Sequence, residues 1–136
     1  MEINVDRKRV LVAEDHPGLA RALAFKLGQA GFEVAVYHDG DEAWRALQET
    51  HFDAIVTDYK MPGLSGAQLC RKAQELDTYA DVPVIMVTAH DAEFDICRSH
   101  PDLKLAAIYP KPYSPRELVK ALSELVGVAP AASPGR

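Results

Sequence analysis

Short apolar runs alternate with longer amphipathic stretches along this chain, and the alternation limits its fold more than any other feature. Four apolar runs cover residues 10–13, 55–57, 84–87 and 106–109, and polar residues follow them at positions 14, 58, 88 and 111. A fifth short run, with a two-residue period, covers residues 33–37. Between the runs, apolar residues recur every three or four positions, as they do on amphipathic helices. Strands alternating with helices form a parallel sheet with helices on both faces. We therefore predict an α/β, doubly wound, five-stranded parallel sheet of order 2-1-3-4-5.

Sequence signals for helix starts occur at the beginning of several of the predicted helices. A capping residue precedes a proline or is followed by a capping-box partner at three places, namely His16-Pro17, Ser65 with Gln68, and Ser114-Pro115. Residues 91–99 carry a weaker pattern and Pro101 follows them, so we expect a short or irregular fourth helix there.

Residues 128–136 cannot build a core. We expect one domain over residues 1–127 and a disordered tail or linker stub over residues 128–136.

Composition excludes several classes of function. The 136 residues are 48% hydrophobic and carry a net charge of −5, which argues against direct binding to nucleic acid or to an anionic membrane. The longest uncharged apolar run, residues 82–89, is far shorter than the ~20 residues of a membrane span. No apolar signal segment opens the sequence, and the two cysteines, Cys70 and Cys97, are expected to be reduced. We expect a cytoplasmic protein.

Chemically active side chains follow the predicted strands at their carboxyl ends. Glu14 and Asp15 follow the first strand, Asp58 the third, Thr88 the fourth and Lys111 the fifth. In the predicted strand order these ends share one rim, and the order reverses between the first and third strands, where ligands bind. Three carboxylates at one place repel each other unless a cation lies between them, and oxygen ligands favour a hard divalent ion, typically Mg²⁺. The pattern therefore predicts a metal site.

This combination of residues suits phosphoryl transfer. A carboxylate beside Mg²⁺ can attack a phosphoryl group, while an ammonium and a hydroxyl stabilise its oxygens. Asp58, Lys111 and Thr88 fit these three roles. Each residue alone would more commonly be a turn former, a packed strand end or a solvated charge. Their joint placement at the strand ends indicates a phosphoryl site.

The same residues resemble those of the response-regulator receiver domain of two-component signalling, a flavodoxin-like domain related to chemotaxis regulators. The resemblance covers about residues 8–127 and is carried by four motifs, Glu14-Asp15, Asp58-Tyr-Lys-Met-Pro-Gly-Leu-Ser-Gly66, Val87-Thr88-Ala89 and Lys111-Pro112.

This resemblance implies a role for each site residue. Asp58 would be the phosphoacceptor, with Thr88 as the switch hydroxyl and Lys111 paired with the phosphoryl group. Asp15 and Asp58 would bind Mg²⁺, Glu14 would help through water, and the backbone carbonyl of Lys60 would complete the protein's ligands. The Lys111-Pro112 bond is expected to be cis.

The resemblance also implies partners. A sensor histidine kinase or a histidine phosphotransfer protein would supply the phosphoryl group, and a protein or domain of unknown identity would receive the signal. The chain would be a signalling switch, not an enzyme acting on other substrates, and would catalyse only its own phosphorylation and dephosphorylation. The alternative is a receiver-like interaction module that works without phosphorylation.

Two departures from the family pattern affect the expected output. Receivers usually carry Tyr or Phe three residues before the site lysine, whereas this chain has Ile108 there and Tyr109 next to it. Since side chains alternate along a strand, Tyr109 is expected on the opposite face. Residues 99–104 also depart from the usual end of the fourth helix. We therefore hypothesise that phosphorylation acts mainly through the loop after Thr88 and residues 91–104.

Two other phosphate-related classes fit the residues less well. A phosphohydrolase of the haloacid dehalogenase kind needs a second acid two residues after its nucleophile, where this chain has Lys60. A flavin carrier needs a loop after the first strand that is rich in hydroxyls and glycine, whereas Glu14-Asp15 would repel a phosphate.

Overall fold

The computed structural model describes residues 7–89, 96 and 98–127. Its five strands are β1 (Arg9–Ala13), β2 (Glu33–Tyr37), β3 (Ala54–Asp58), β4 (Val84–Thr88) and β5 (Ala107–Pro110). Its helices are α1 (Pro17–Gln29), α2 (Gly40–Glu49), α3 (Gly66–Gln74), a short 3₁₀ helix (Asp77–Tyr79) and the C-terminal helix (Pro115–Val126). The expected fourth helix falls mainly on residues 90–95 and 97, outside the described residues, as does the expected tail at residues 128–136.

The strands form one parallel sheet in the order β2-β1-β3-β4-β5. This confirms the predicted fold class and strand order. The central strands β1, β3 and β4 are almost entirely buried, which agrees with their continuous apolar sequences. Neighbouring β1 and β3 are the strands at which the chain reverses direction across the sheet, so a crevice opens at their carboxyl ends.

Each face of the sheet has its own apolar core. Alternate residues of the central strands point to opposite faces. On one face, Leu11, Ile55 and Met86 pack with apolar residues of α2 and α3. On the other, Val12 and Val56 belong to a cluster that includes apolar residues of α1 and the C-terminal helix. Helices therefore cover both faces of the sheet, and its carboxyl edge lies between them.

Local signals place the helix starts as predicted. The His16 side chain accepts a hydrogen bond from the Leu19 amide at the start of α1, Ser65 and Gln68 form a capping box, and Ser114 accepts from the Glu117 amide. These contacts satisfy amides that have no partner within the first turn of a helix.

Some leucines on the apolar stripes of the helices are partly exposed. Leu19 in α1 is 37% exposed and Leu125 in the C-terminal helix is 46% exposed, while Ala20 and Ser123 are buried instead. Leu76 lies beyond the end of α3 and is 37% exposed. Sequence spacing predicts an apolar stripe on a helix, but it does not predict which residues at the edges of the stripe are buried by neighbouring elements.

A search of the described residues finds no helix with the length and apolar character required to traverse a bilayer.

Candidate functional site

The carboxyl rim of the sheet brings together the side chains that the sequence singled out. Glu14 and Asp15 directly follow β1, and Asp58 is the last residue of the adjacent strand β3. Thr88 ends β4, and Lys111 directly follows β5. The parallel arrangement alone brings these residues from distant parts of the chain to one edge.

Three carboxylates form a compact acidic cluster. Oxygen atoms of Glu14, Asp15 and Asp58 lie within 4.8 Å of one another. Glu14 and Asp58 are buried, at 5% and 7% exposure, whereas Asp15 is exposed. A set of hard oxygen ligands open to solvent on one side suits a divalent cation that keeps some of its water. The cluster could therefore hold a metal ion. Lys60, the fourth predicted ligand, lies exposed in the turn after β3.

Lys111 supplies positive charge to this cluster. Its Nζ atom donates to Asp58 Oδ2 at 2.9 Å and lies 3.2 Å from Glu14 Oε1. Its backbone amide donates to the Thr88 carbonyl at 2.7 Å, and the Lys111–Pro112 peptide bond is cis, as expected. The lysine therefore joins the β4 and β5 ends of the rim to the acidic pair on β1 and β3.

These surroundings shift the pKa values of both groups. Burial raises the pKa of Asp58 from 3.8 to about 6; the Lys111 hydrogen bond opposes this rise, and the Glu14 charge adds to it. Burial lowers the pKa of Lys111, but its hydrogen bond and ion pair with Asp58, helped by Glu14, outweigh burial and raise it above 10.5. At neutral pH the site thus holds a mostly ionised Asp58 carboxylate beside a charged Lys111 ammonium.

Thr88 contributes a hydroxyl with unused hydrogen-bonding capacity. The residue is 1% exposed, and its Oγ1 atom has no hydrogen-bond partner in the described part of the chain. A buried polar atom without a partner is costly, and such atoms point to a ligand or a functional role. A phosphoryl oxygen or water in the crevice would satisfy this hydroxyl.

The turn after β3 is packed closely against the carboxyl end of that strand, where Asp58 lies. The Tyr59 amide donates to the Val87 carbonyl at 2.8 Å, and the Gly66 amide donates to the Tyr59 carbonyl at 2.7 Å. A Cβ atom on Gly66 would collide with the Asp58 carbonyl oxygen. Only glycine permits this approach of α3 to the site.

Two contacts near the site were not foreseen from the sequence. The His38 ring nitrogen Nδ1 lies 3.0 Å from the Glu14 carbonyl oxygen, and the His16 amide donates to Glu14 Oε2 at 3.0 Å. Burial and the charges of Glu14 and Asp58 also raise the pKa of Tyr113 to about 12. The contact between His38 and Glu14 joins residues 24 positions apart, so no local sequence pattern predicts it.

The two β5 residues that depart from the family pattern lie on opposite faces. Ile108 packs against the core that contains α2 and α3, whereas Tyr109 packs against the other core, with its ring 6.5 Å from that of Tyr113. Tyr109 is therefore on the opposite face from the position that Ile108 occupies, as the strand alternation predicted.

Comparison with known families decides the class of the domain. The family model of the response regulator receiver domain matches residues 10–123. The chain belongs to this family. This result confirms the phosphoacceptor receiver domain inferred from the residue pattern, and nothing in the comparisons favours the phosphorylation-independent module. Receiver domains are signalling switches and not enzymes in the ordinary sense.

Individual relatives agree with this assignment. The chain is 41% identical over 112 residues to the sensory transduction protein RegX3 of Mycolicibacterium smegmatis, covering 81% of this chain and 46% of RegX3. It is 33% identical over 120 residues to the alkaline phosphatase synthesis transcriptional regulatory protein PhoP of Bacillus subtilis, covering 85% of this chain and 48% of PhoP. The chain thus spans about half the length of the curated relatives it matches.

Solved structures share the fold. The receiver domain of the Francisella response regulator 1452 superposes with a TM-score of 0.79 at 27% identity, covering 89% of this chain and 98% of that one. The receiver domain of sensor histidine kinase PA1611 of Pseudomonas aeruginosa superposes with a TM-score of 0.78 at 24% identity, over 89% and 98% of the two chains. That receiver has a magnesium ion coordinated in its active site cleft.

Proposed function

We propose that Asp58 accepts a phosphoryl group in an Mg²⁺-dependent reaction and that the modified domain controls a protein partner. One observation carries this proposal: a buried carboxylate lies 2.9 Å from an ammonium within an acidic cluster, at the same rim as a buried hydroxyl that has no hydrogen-bond partner among the described residues. A structural ion pair explains neither the crowding of three carboxylates nor the buried Thr88 hydroxyl, which lacks a partner in the part of the chain that the structure describes. A phosphoryl site explains both.

The acidic cluster fits Mg²⁺ by the chemistry of its donors. In our proposal Asp15 and Asp58 bind the ion directly, Glu14 acts through water, and the Lys60 carbonyl completes the protein's contribution. When bound, Mg²⁺ supplies positive charge that offsets the repulsion among the carboxylates and the phosphoryl oxygens.

The residues divide the reaction among themselves. An ionised Asp58 oxygen attacks phosphorus as the phosphorus–nitrogen bond of a donor phosphohistidine breaks; the electron pair stays with the donor imidazole, which takes a proton from water. Lys111 neutralises charge on one phosphoryl oxygen, and the Thr88 hydroxyl donates to another. Later attack by water on the phosphorus of the acyl phosphate breaks its bond to the Asp58 oxygen, releases inorganic phosphate and restores the Asp58 carboxylate. The chain thus catalyses only its own phosphorylation and dephosphorylation.

The surface beside the site suits a protein phosphodonor. An apolar groove with a volume of about 280 Å³ opens next to Lys111. Its lining is formed by residues of α1, of the loop after β5 and of the first turn of the C-terminal helix, namely Leu19, Ala22, Pro112, Tyr113 and Pro115. Apolar surface next to a charged site favours a protein partner over a small phosphorylated molecule. We propose that a sensor histidine kinase or a histidine phosphotransfer protein binds here.

The output is proposed to lie outside this domain. The matched relatives are about twice as long as the aligned region, and one of them is a DNA-binding response regulator, MtrA of Mycolicibacterium smegmatis. The acidic net charge of −5 argues against direct contact of this domain with DNA. Any contact with nucleic acid is therefore expected from a separate output domain or protein.

Labelling with a small phosphodonor tests the proposal. With acetyl phosphate and Mg²⁺, the intact protein is expected to gain one base-labile phosphoryl group, located on Asp58 by peptide mass spectrometry. Asp58→Asn should abolish labelling, and excess chelator should do the same to the wild type. Asp81→Asn, at an exposed position, is the matched control and should label normally.

The opposite results would point elsewhere. Labelling that persists in Asp58→Asn would remove Asp58 from its role. A folded wild type that takes no phosphoryl group with Mg²⁺ present would favour the phosphorylation-independent module.

A further inference from the structure

The backbone amide and carbonyl of Glu14 both contact the end of β2, through its last residue, Tyr37, and through His38 directly after it. Its amide donates to the Tyr37 carbonyl at 3.0 Å, and its carbonyl lies 3.0 Å from Nδ1 of the His38 ring. A carbonyl oxygen only accepts, so the imidazole carries its proton on Nδ1 and donates. The His38 side chain is exposed, whereas Glu14, whose carbonyl it contacts, is buried.

The ring replaces a bond that the sheet itself cannot make. The β1–β2 register ends at the pair Ala13–Tyr37, and the Glu14 amide continues the ladder by one bond. The next bond would need a backbone donor beyond His38. The chain turns away there, since Asp39 caps α2 by accepting from the Glu42 amide. The His38 side chain therefore takes the position of the missing backbone donor.

This bond acts on the acidic cluster through the Glu14 peptide unit. That carbonyl belongs to the peptide that joins Glu14 to Asp15, the two acidic residues after β1. The Glu14 side chain is in turn directed by the His16 amide and by Lys111. Rotation of the Glu14–Asp15 peptide would move the Asp15 carboxylate relative to Asp58.

We propose that His38 is a positioning residue that orients the Glu14–Asp15 peptide and thereby sets the affinity of the acidic cluster for Mg²⁺. The inference rests on the proposed function of the cluster. Groups that orient metal ligands without touching the metal typically change metal affinity by about 10-fold or more when removed. Both the neutral Nδ1–H imidazole and the imidazolium donate to the carbonyl, so the effect does not depend on the charge of His38.

The side-chain chemistry supplies a matched pair of variants. Asn carries its amide nitrogen the same number of bonds from Cα as Nδ1 of His, so His38→Asn keeps a donor in reach of the Glu14 carbonyl. His38→Leu fills similar space without a donor. His38→Ala is a second variant without a donor, for use if the leucine disturbs folding.

Calorimetric titration of the full chain with Mg²⁺ tests the inference. The dissociation constant is expected to rise about 10-fold in His38→Leu and His38→Ala and to stay within about 2-fold of the wild type in His38→Asn. Urea unfolding checks that the variants fold. At saturating Mg²⁺, the acetyl phosphate labelling rate of His38→Leu should return to within about 2-fold of the wild type, because the defect lies in ion affinity.

The outcomes separate this inference from the proposed function. Unchanged Mg²⁺ affinity in folded His38→Leu and His38→Ala would overturn the role of His38 while leaving the phosphoacceptor proposal intact. Equal weakening in His38→Asn would also overturn it, since the donor would not be the cause. A wild type that neither binds Mg²⁺ nor accepts a phosphoryl group would instead defeat the proposed function itself.

Discussion

Asp58 is subject to opposing influences from its neighbours. Burial and the Glu14 charge favour its protonated form, while Lys111 at 2.9 Å favours its ionised form. The net pKa of about 6 means that, without a cation, the ionised site is a source of instability. The carboxylate that we propose as the nucleophile is thus destabilised in its ionised form, and a bound cation would relieve this destabilisation.

This balance predicts how stability depends on pH in the metal-free protein. Between pH 4 and about pH 6 the folded chain keeps a proton that the unfolded chain has lost, so stability falls as pH rises and stays lower above pH 6. Asp58→Asn mimics the neutral form, and Lys111 retains Glu14 as a partner. At pH 7.5 the variant should be more stable than the wild type by about 1–2 kcal/mol, with no difference near pH 4.

Urea unfolding with chelator at both pH values measures the difference. Asp81→Asn should follow the wild type at both. An Asp58→Asn variant less stable than the wild type at pH 7.5 would show that the Lys111 ion pair outweighs burial.

At the scale of elements, the start of α3 sets the position of the β3 end. Gly66 approaches the Asp58 carbonyl so closely that no side chain fits. Gly66→Ala is therefore expected to lower the free energy of unfolding by about 1–3 kcal/mol and to slow phosphorylation, because relief of the collision displaces the Asp58 backbone. Gly28→Ala in α1 is the control, since its Cβ would meet nothing within 4 Å.

Gly28→Ala should stabilise the protein by about 0.5–1 kcal/mol and leave labelling unchanged. Thermal unfolding and acetyl phosphate labelling of both variants check these expectations. Normal labelling of Gly66→Ala would show that the turn after β3 can shift without affecting the site.

A second element-scale feature bears on how a signal would leave the site. Polar contacts connect the segment before β5 to α3. The Gln74 side chain donates through Nε2 to the Lys104 carbonyl at 2.8 Å and accepts through Oε1 from the Lys104 backbone amide at 3.2 Å. Arg71 donates to both Asp102 carboxylate oxygens, at 3.3 and 2.9 Å. We hypothesise that phosphorylation acts through the loop after Thr88 and residues 91–104. This hypothesis requires either that these contacts break on phosphorylation or that the conformational change ends before residue 102.

Gln74→Ala tests the strength of this connection. Loss of the pair of hydrogen bonds should speed hydrogen exchange of the Lys104 amide by about 5–10-fold. Gln74→Glu keeps an acceptor for that amide and should show the smaller change, as measured by nuclear magnetic resonance. Equal exchange rates in the wild type and Gln74→Ala would mean that the segment is held by its apolar contacts instead.

For the whole molecule, ion binding and folding are expected to be linked. The carboxylates of the acidic cluster come from the ends of β1 and β3, which are adjacent only in the folded sheet. A cation that binds only the folded state should therefore stabilise the entire domain, by about 2.7 kcal/mol at a concentration 100 times its dissociation constant.

Chemical unfolding over a series of Mg²⁺ concentrations measures this linkage. Asp15→Asn should abolish most of the Mg²⁺-dependent gain while leaving metal-free stability close to that of the wild type, because Asp15 is exposed. A gain of equal size in Asp15→Asn would place the ion elsewhere on the molecule.

Much of this protein could be predicted from its sequence because the signals involved are local or periodic. Buried strands appear as continuous apolar runs, and helices begin at capping residues such as Ser65 and Ser114, whose partners lie three positions away. Once the strand order follows from the alternation, the residues after each strand must meet at one rim. The acidic cluster and its contact with Lys111 follow from that geometry.

Only the tertiary structure decided contacts between side chains and distant backbone. The bond from His38 to Glu14 and the paired bonds of Gln74 with Lys104 join positions 24 and 30 residues apart. The partial exposure of Leu19 and Leu125 depends on how far neighbouring helices cover each apolar stripe. Spacing along a chain specifies which face a residue shares, but the distance between two elements, and hence which atoms touch, is set by the packing of the whole core.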